Sequence, residues 1–250
     1  MTAQELARWL DDYLETGRIP DYAGAWNGLQ VDRDGPVKRI AFAVDAAQAT
    51  IDAAVDRGAD LLIVHHGLFW DGNPTVTGRR HRRLAALLKA NVGVYSSHLP
   101  LDAHEQVGNN AVLAHAAGIT IDGRFASCKG VEIGITGTID IRREALGARL
   151  DELLGGRVMM IPGGPEKIRR VGVVTGSGAS HLGAAREAGL DALITGEGSH
   201  HHYFDSMEGG VNLFLGGHYA TESWGLKALA RKLADEFDLD WEFIDHPTGL

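Results

Sequence analysis

The sequence predicts an α/β protein made of two similar lobes, each with a sheet flanked by helices. Short apolar runs alternate with helical spacing along most of the chain, which is typical of α/β layers with largely parallel sheets. Residues 40–66 also align without a gap with residues 171–197, at a shift of 131. A shift of 120 places His98 on His218, and each of these histidines precedes an acidic residue by four positions. Chance similarity between two βαβ units would explain part of the match, but the coincident histidine and acid favour an internal duplication.

The elements of the first half follow from apolar spacing and turn residues. Residues 3–14 have helical spacing and stop at Gly17, a usual C-terminal signal, and Asn27-Gly28 marks a tight turn. The pattern then predicts strands over 40–44, 61–64 and 92–96, helices over 48–57, 82–90 and 108–117, and a loop over 69–74.

The second half contains a less regular middle and then the second copy. A strand over 133–139, a helix over 143–154 and a turn-rich segment over 162–165 precede the second copy, which runs from Arg170 to about Glu222. A closing helix over 224–237 and a last strand over 241–244 follow. We therefore expect lobes over 1–125 and 126–250; in the alternative, the last helix and strand pack back on the first lobe.

Composition excludes several classes of protein. The chain has 250 residues, of which 44% are hydrophobic, and no apolar run approaches the ~20 residues that span a bilayer. The N-terminus lacks a basic region followed by an apolar core, so no secretory signal is expected. Cys128 is the single cysteine, which excludes an intrachain disulfide and fits a cytoplasmic location.

The charge of the chain argues against nucleic acid as a partner. The net charge is −9, so little counterion release is gained on DNA or RNA. One basic run, Arg79-Arg80-His81-Arg82-Arg83, lacks an interleaved aromatic residue, and we interpret it as a solvated loop or the start of a helix.

Histidines and acids follow three apolar runs and predict a metal site. His65-His66 directly follows one run, and two further runs lead to a histidine with an acid four residues later. Ligands gather at the carboxyl ends of strands in α/β sheets, and imidazole is the commonest neutral metal ligand near pH 7. We expect these side chains to meet in a cleft between the lobes; the set is His65, His66, His98, Asp102, His218 and Glu222.

This mixture of ligands suits first-row transition metals such as zinc, manganese, iron or nickel. Five or six ligands exceed a single tetrahedral site, so two ions that share a carboxylate fit better. Such a pair lowers the pKa of a bound water and favours hydrolysis. Alone, Asp102 is also explained as a helix cap and Glu222 as an acid in a first helical turn, but their joint occurrence with the histidines favours metal.

Two other motifs are weaker. His200, His201 and His202 cannot easily all bind one ion, so a pocket-lining role and an exposed loop both stay open. The segment Thr175-Gly176-Ser177-Gly178 resembles a phosphate-binding turn, but no complete phosphate-loop motif is present.

Four segments together resemble a known family: HHGLFW from His65, SHLPLDAH from Ser97, Gly196-Glu197, and GHYATE from Gly217, with WNGLQ from Trp26 in addition. This is the GTP cyclohydrolase I type 2 homologue family, also called the Nif-three-like dinuclear metal-centre hexameric proteins. The resemblance covers essentially the whole chain. It implies two α/β lobes, two divalent metal ions per chain and a toroidal homohexamer built as a trimer of dimers.

The resemblance also implies roles for individual residues. His66 and Asp102 would hold one metal, His65 and His218 the other, and Glu222 would bridge both and take part in catalysis. His98 would lie close by as a further catalytic or pocket residue. Many members have His-Thr-Asn-Leu-Asp where this chain has His-Leu-Pro-Leu-Asp, and His-His-Pro in place of its His-His-Gly; neither change removes a ligand.

The function implied by the resemblance is hydrolytic opening of the guanine ring of GTP, by attack of a metal-bound hydroxide. The residues alone indicate only metal-assisted hydrolysis of a small polar substrate, with a nucleotide as one candidate. Two alternatives stay open at this point: a metal-dependent phosphoesterase, and a non-catalytic metal-binding hexamer that acts as a scaffold or regulator.

Overall fold

The computed structural model describes residues 1–70 and 74–250, and Asp71, Gly72 and Asn73 of the predicted loop lie outside the described residues. In its first half the elements are α1 (Ala3–Tyr13), β1 (Gly28–Val31), β2 (Arg39–Asp45), α2 (Gln48–Asp56), β3 (Leu61–His66), α3 (Gly78–Ala90), β4 (Gly93–Ser96), α4 (Leu99–Ala103) and α5 (Asn109–Ala116). The second half contains β5 (Thr120–Cys128), β6 (Val131–Arg142), α6 (Arg143–Leu154), β7 (Met159–Ile161), β8 (Lys167–Val173), a short 3₁₀ helix (Gly178–His181), α7 (Leu182–Glu187), β9 (Ala192–Thr195), α8 (His202–Gly209), β10 (Asn212–Leu215), α9 (His218–Phe237) and β11 (Asp240–Phe243). The predicted α/β class, with two sheets flanked by helices, is confirmed.

The chain forms two compact units. Unit 1 contains Met1–Leu101 and Leu226–His246, and unit 2 contains Asp102–Gly225 and Pro247–Leu250. The domain boundary predicted near residue 125 lies inside β5, and it stays a prediction. Strand β11 pairs with β2, so the last strand belongs to the sheet of unit 1.

The sheet of unit 1 has the order β1-β4-β3-β2-β11. All of its pairs are parallel except β1 with β4. Strands β2 and β3 are nearly continuous apolar runs because such strands are covered on both faces. The core contains Ala43, Ile51, Val64, Leu87 and Val94, which are almost wholly buried. This packing fixes the carboxyl ends of β2, β3 and β4 side by side.

The sheet of unit 2 has the order β5-β6-β8-β9-β10-β7 and is mixed. Strands β8, β9 and β10 are parallel, but β6 lies antiparallel to both β5 and β8, and β7 lies antiparallel to β10. A two-residue turn joins β5 to β6, and both of its residues, Lys129 (φ 49°) and Gly130 (φ 85°), have positive φ. Such turns match the twist of a hairpin, so the chain reverses here instead of crossing over. The predicted largely parallel sheet therefore describes unit 1 better than unit 2.

The same strand register recurs in the two sheets at the predicted shift of 131. Ile40 pairs with Leu61 in unit 1, as Val171 pairs with Ala192 in unit 2. The hydrogen bonds at the strand start also recur: a carboxylate oxygen of Asp60 accepts the N–H groups of residues 38 and 39, and one of Asp191 accepts those of residues 169 and 170. This equivalence favours the internal duplication.

Helix α9 spans 20 residues and contains the point at which the chain passes from unit 2 to unit 1, between Gly225 and Leu226. Charged residues recur along its length. Across the described part of the chain, no helix combines the length and apolar character that a membrane crossing needs.

Candidate metal centre

His65 and His66 occupy the carboxyl end of β3, and both rings are held through Nδ1. The Nδ1–H of His65 donates to the carbonyl oxygen of Ser97 at 2.9 Å. The Nδ1 of His66 lies 2.8 Å from the carboxylate of Asp45, which is opposite it in the β2–β3 register. Because the acceptor fixes the proton on Nδ1, the lone pair of each neutral ring lies on Nε2, as in carboxylate–histidine–metal sites.

His98 follows β4 and is held by a buried carboxylate. Its Nδ1 lies 2.9 Å from Asp21 Oδ1, and its backbone N–H donates to Asn27 Oδ1 at 2.7 Å. Burial by itself would raise the pKa of Asp21, but the hydrogen bond and the charge of His98, with hydrogen bonds from Asn27 and the backbone of Tyr22, outweigh burial and hold that pKa below its usual value. His98 therefore faces an ionised partner, which fixes the proton of its neutral ring on Nδ1.

The three histidines form one cluster within unit 1, as predicted. The ring centroid of His65 lies 4.8 Å from that of His66 and 4.9 Å from that of His98. Trp70 stands beside them, with its ring 4.8 Å from His98 and 5.7 Å from His66. Each histidine offers one nitrogen within 4.8 Å of the others. Grouped imidazoles beside an aromatic wall are a donor set that fits a first-row divalent metal.

The WNGLQ motif supports this cluster through its polar side chains. Asn27 donates to Asp21 Oδ2 at 2.9 Å and so holds the carboxylate that meets His98. Gln30 Oε1 accepts the backbone N–H of Leu68 at 2.7 Å, two residues after His66. A Cβ at Gly67 would crowd the Gln30 amide, with Oε1 at 2.6 Å, so the glycine of His-His-Gly lets this contact form.

In unit 2, His218 lies between two carboxylates. It begins α9, and its Nε2 is 3.0 Å from Oε2 of Glu222, one helical turn later. Its Nδ1 is 3.0 Å from Oε1 of Glu197, which follows β9. The hydrogen bond that His218 donates to Glu222 raises the pKa of His218 to about 9 despite partial burial, with further contributions from the charge of Glu222 and from the hydrogen bond and charge of Glu197. Without metal, His218 is thus an imidazolium near pH 7, and metal binding must release its proton.

Asp102 lies in the same unit within a buried polar network. Asn109 donates to its Oδ1 at 2.8 Å and Thr175 Oγ1 donates to the same atom at 3.3 Å. Asn110 donates to its backbone carbonyl at 3.2 Å. A carboxylate oxygen of Asp102 lies within 4.8 Å of one of Glu222, which places Glu222 within reach of both predicted ligands of unit 2.

Two glycines make room for these ligands. Gly176 has φ 63°, and a Cβ there would overlap Oε1 of Glu222 and lie 3.3 Å from Nε2 of His218. The segment predicted as a weak phosphate-binding turn thus packs against the Glu222 carboxylate. Gly196 corresponds to His65 at the shift of 131, and a Cβ there would lie 2.7 Å from the carbonyl oxygen of Gly176 and 2.8 Å from the Cα of His218.

Comparison with known proteins places the chain among relatives of nearly the same length. A model of the family Duf34/NIF3 (NGG1p interacting factor 3) matches residues 1–248. The chain belongs to this family. The resemblance found in the sequence is therefore confirmed.

Among its Duf34/NIF3 relatives, a "GTP cyclohydrolase 1 type 2 homolog" of Deinococcus radiodurans is 43% identical over 98% of this chain and 94% of that protein. One of the same name from Halobacterium salinarum is 46% identical over 95% and 96%. Solved structures include protein ybgI, described as of unknown function, with a TM-score of 0.94 and 38% identity, and TTHA1606 from Thermus thermophilus, with 0.91 and 39%. Each covers all of this chain and is itself wholly covered.

The histidine run of this Duf34/NIF3 chain lies apart from the ligands of α9. His201 and His202 line a cavity of about 540 Å³ in unit 2, whereas His200 is exposed and its ring contacts that of Phe204. His202 Nδ1 accepts the backbone N–H of Ser199 at 2.8 Å. His201 is nevertheless exposed, so elements of both interpretations, a pocket-lining role and an exposed loop, are present.

The side chains that hold the predicted ligands were not predicted from the sequence. Asp45 ends a strand beside β3, and the strand-end rule that selected His66 would have found it. Asn109 follows a glycine at the start of α5, a position that resembles an ordinary helix start. Asp21 lies 77 residues from His98 in a segment without regular structure, and no local signal marks it.

Proposed function

We propose that this chain is a dinuclear divalent-metal-dependent hydrolase with GTP cyclohydrolase-like or related nucleotide activity. The observation that carries the proposal is the donor set: three clustered imidazoles in unit 1 and a histidine with two nearby carboxylates in unit 2. The name of the two relatives, GTP cyclohydrolase 1 type 2 homolog, supports the reaction class.

The ligand roles follow the family pattern residue by residue. His66 and Asp102 would hold one ion, His65 and His218 the other, and Glu222 both. The position of Glu222, in contact with His218 and within 4.8 Å of Asp102, supports a bridging role. When bound, two such ions would lower the pKa of a water molecule and stabilise negative charge on oxygen.

His98 is the residue that we propose moves a proton. Its Nδ1–H is held by the ionised Asp21, so Nε2 of the neutral ring carries the lone pair and can accept a proton from an attacking water. The ring of Trp70 lies edge-to-face against that of His98, with the two centroids 4.8 Å apart. Asp21 orients this base as the carboxylate of a catalytic triad orients its histidine.

Two substitutions test the ligand roles by metal content. Glu222→Ala is expected to abolish binding of both ions, and Asp102→Ala to remove one preferentially. The measurement is the number of metal ions per chain after saturation and dialysis. Two ions retained in Glu222→Ala would refute the bridge, and loss of both in Asp102→Ala would show that the two sites are coupled.

Turnover of the metal-loaded protein against a nucleotide panel, with products identified by mass, tests the activity. Formate or ring-opened product from GTP, absent in Glu222→Ala, would establish the cyclohydrolase. Release of phosphate would assign a phosphoesterase instead. Two bound ions without turnover would favour the non-catalytic scaffold or regulator.

We further propose that the protein works in the cytoplasm as a toroidal homohexamer, a trimer of dimers. The single cysteine supports the location, and the likeness to the family supports the assembly. Native mass spectrometry at low ionic strength is expected to give a six-chain species. A monomer or dimer at micromolar concentration would reject the hexamer.

A further inference from the structure

Three arginines of the basic run over 79–83 line one cavity of unit 1. The cavity has a volume of about 240 Å³, and its described walls come from the start of α3, from Leu68-Phe69 and from residues 74–77. The described lining residues are Leu68, Phe69, Pro74, Thr75, Thr77, Arg79, Arg80, Arg83 and Leu84. The run predicted to be a solvated helix start therefore also forms a concave, basic surface.

Arg80 is held in place at this cavity. Its Nη1 donates to the carbonyl oxygen of Pro74 at 2.8 Å, and its guanidinium carbon lies 5.2 Å from the ring centroid of Phe69. Its Nη2 is buried and has no hydrogen-bond partner among the residues that the structure describes. A buried N–H group without an acceptor is costly, so the geometry favours an acceptor beyond the described residues, and a bound anion would supply one.

The chemistry of the lining selects an anion. Three arginines line the cavity and no carboxylate belongs to its described lining, although the chain as a whole has a net charge of −9. Guanidinium donors match the oxygens of phosphate in a bidentate manner. A volume of about 240 Å³ is below the ~300–1,000 Å³ of pockets that enclose drug-sized ligands. The cavity suits a phosphate or diphosphate group and not a whole nucleotide.

One short segment links the cavity to the histidine cluster of the same unit. Phe69 lines the cavity, and the next residue, Trp70, contacts both His66 and His98. We propose that Arg79, Arg80 and Arg83 form a subsite that binds a phosphate group of the substrate. This inference rests on the proposed function. It names the phosphate of a nucleotide substrate as a group that the chain recognises separately from the atoms that react.

Calorimetric titration of the metal-free protein with inorganic pyrophosphate tests the subsite, since without metal the probe has no ion to chelate. Arg80→Gln removes a lining guanidinium, and Arg82→Gln is the matched control, because Arg82 is an exposed arginine of the same helix that does not line the cavity. We expect the control to bind like the wild type and Arg80→Gln to bind at least about tenfold more weakly. Equal affinity in the three proteins, or no binding by the wild type, would overturn the proposal.

Additional measurements distinguish a phosphate subsite from a folding defect and from a nucleic-acid surface. If Arg80→Gln has an altered circular dichroism spectrum or melting temperature, Arg79→Gln gives the same test without removing the stack on Phe69. Pyrophosphate binding without nucleotide turnover would keep the subsite and reject the hydrolase, whereas turnover without pyrophosphate binding would reject the subsite alone. Binding of single-stranded RNA that Arg80→Gln and Arg82→Gln weaken equally would assign the run to a nucleic-acid surface and overturn the proposal.

Discussion

Substitution of Gly176 by alanine is expected to displace the proposed metal ligands of unit 2 while leaving the fold intact. Gly176 has φ 63°, and the added Cβ would overlap Oε1 of Glu222, so that side chain must rotate away from its place beside His218. The left-handed backbone alone destabilises alanine by about 1–2 kcal/mol. Displacement of a ligand or of its support typically weakens metal binding by about 10–100-fold.

Gly189→Ala supplies the control for backbone strain. Gly189 has φ 66°, but a Cβ there meets nothing within 4 Å. Both variants should therefore lose about 1–2 kcal/mol of unfolding free energy in urea. Only Gly176→Ala should also lose metal affinity, measured by calorimetric titration with Zn²⁺ or Mn²⁺. Equal metal affinity in the two variants would refute the link between Gly176, Glu222 and the metal.

The remaining predictions concern pH and the network around Asp102. With the pKa of His218 raised from 6.5 to about 9, its protonated form stabilises the metal-free protein fully below pH 6.5, and this contribution disappears as pH rises through 9. Metal affinity should rise over the same pH window, by up to about tenfold per pH unit. His218→Gln should flatten the pH dependence of stability, measured by urea unfolding, and that of metal affinity, measured by calorimetry. Asn109→Ala removes the donor to Asp102 and leaves the N–H of Gly225 without its acceptor, which should cost about 1–3 kcal/mol and weaken metal binding. Asn212→Ala is the control, because it removes a buried amide bonded to the Asp191 and Pro165 carbonyls, and it should cost similar stability at unchanged metal affinity. An equal loss of metal affinity in Asn212→Ala would contradict the role of Asn109 in supporting Asp102 as a ligand.

The regular parts of the fold were predictable because their patterns are strong. Strands β2 and β3 are continuous apolar runs, and α2 lies between them with a glycine at its end, so the first βαβ unit is visible in the sequence. Strand β5 was missed because Thr120–Cys128 alternates poorly and contains a glycine, and its identity depends on pairing with β6. The three residues of β7 give no periodic signal at all.

The site was predictable at the level of ligand types and only partly at the level of geometry. The histidines and acids follow strands, and elementary rules place such residues at one edge of a sheet. Their supports, such as Asp21 and Asn109, come from segments whose course depends on tertiary packing. The pKa of His218 could not be inferred either, because it requires Glu197 and Glu222 to approach both ring nitrogens at once.

The crowding at Gly196 distinguishes what the two units can accommodate at matching positions. Positions 65 and 196 are equivalent in strand register, yet only position 65 has room for an imidazole. A side chain at position 196 would meet the backbone of Gly176 and His218, so that backbone would have to shift. A histidine pair therefore fits at the end of β3 in unit 1, whereas at the matching place in unit 2 only a glycine fits before Glu197 without such a shift.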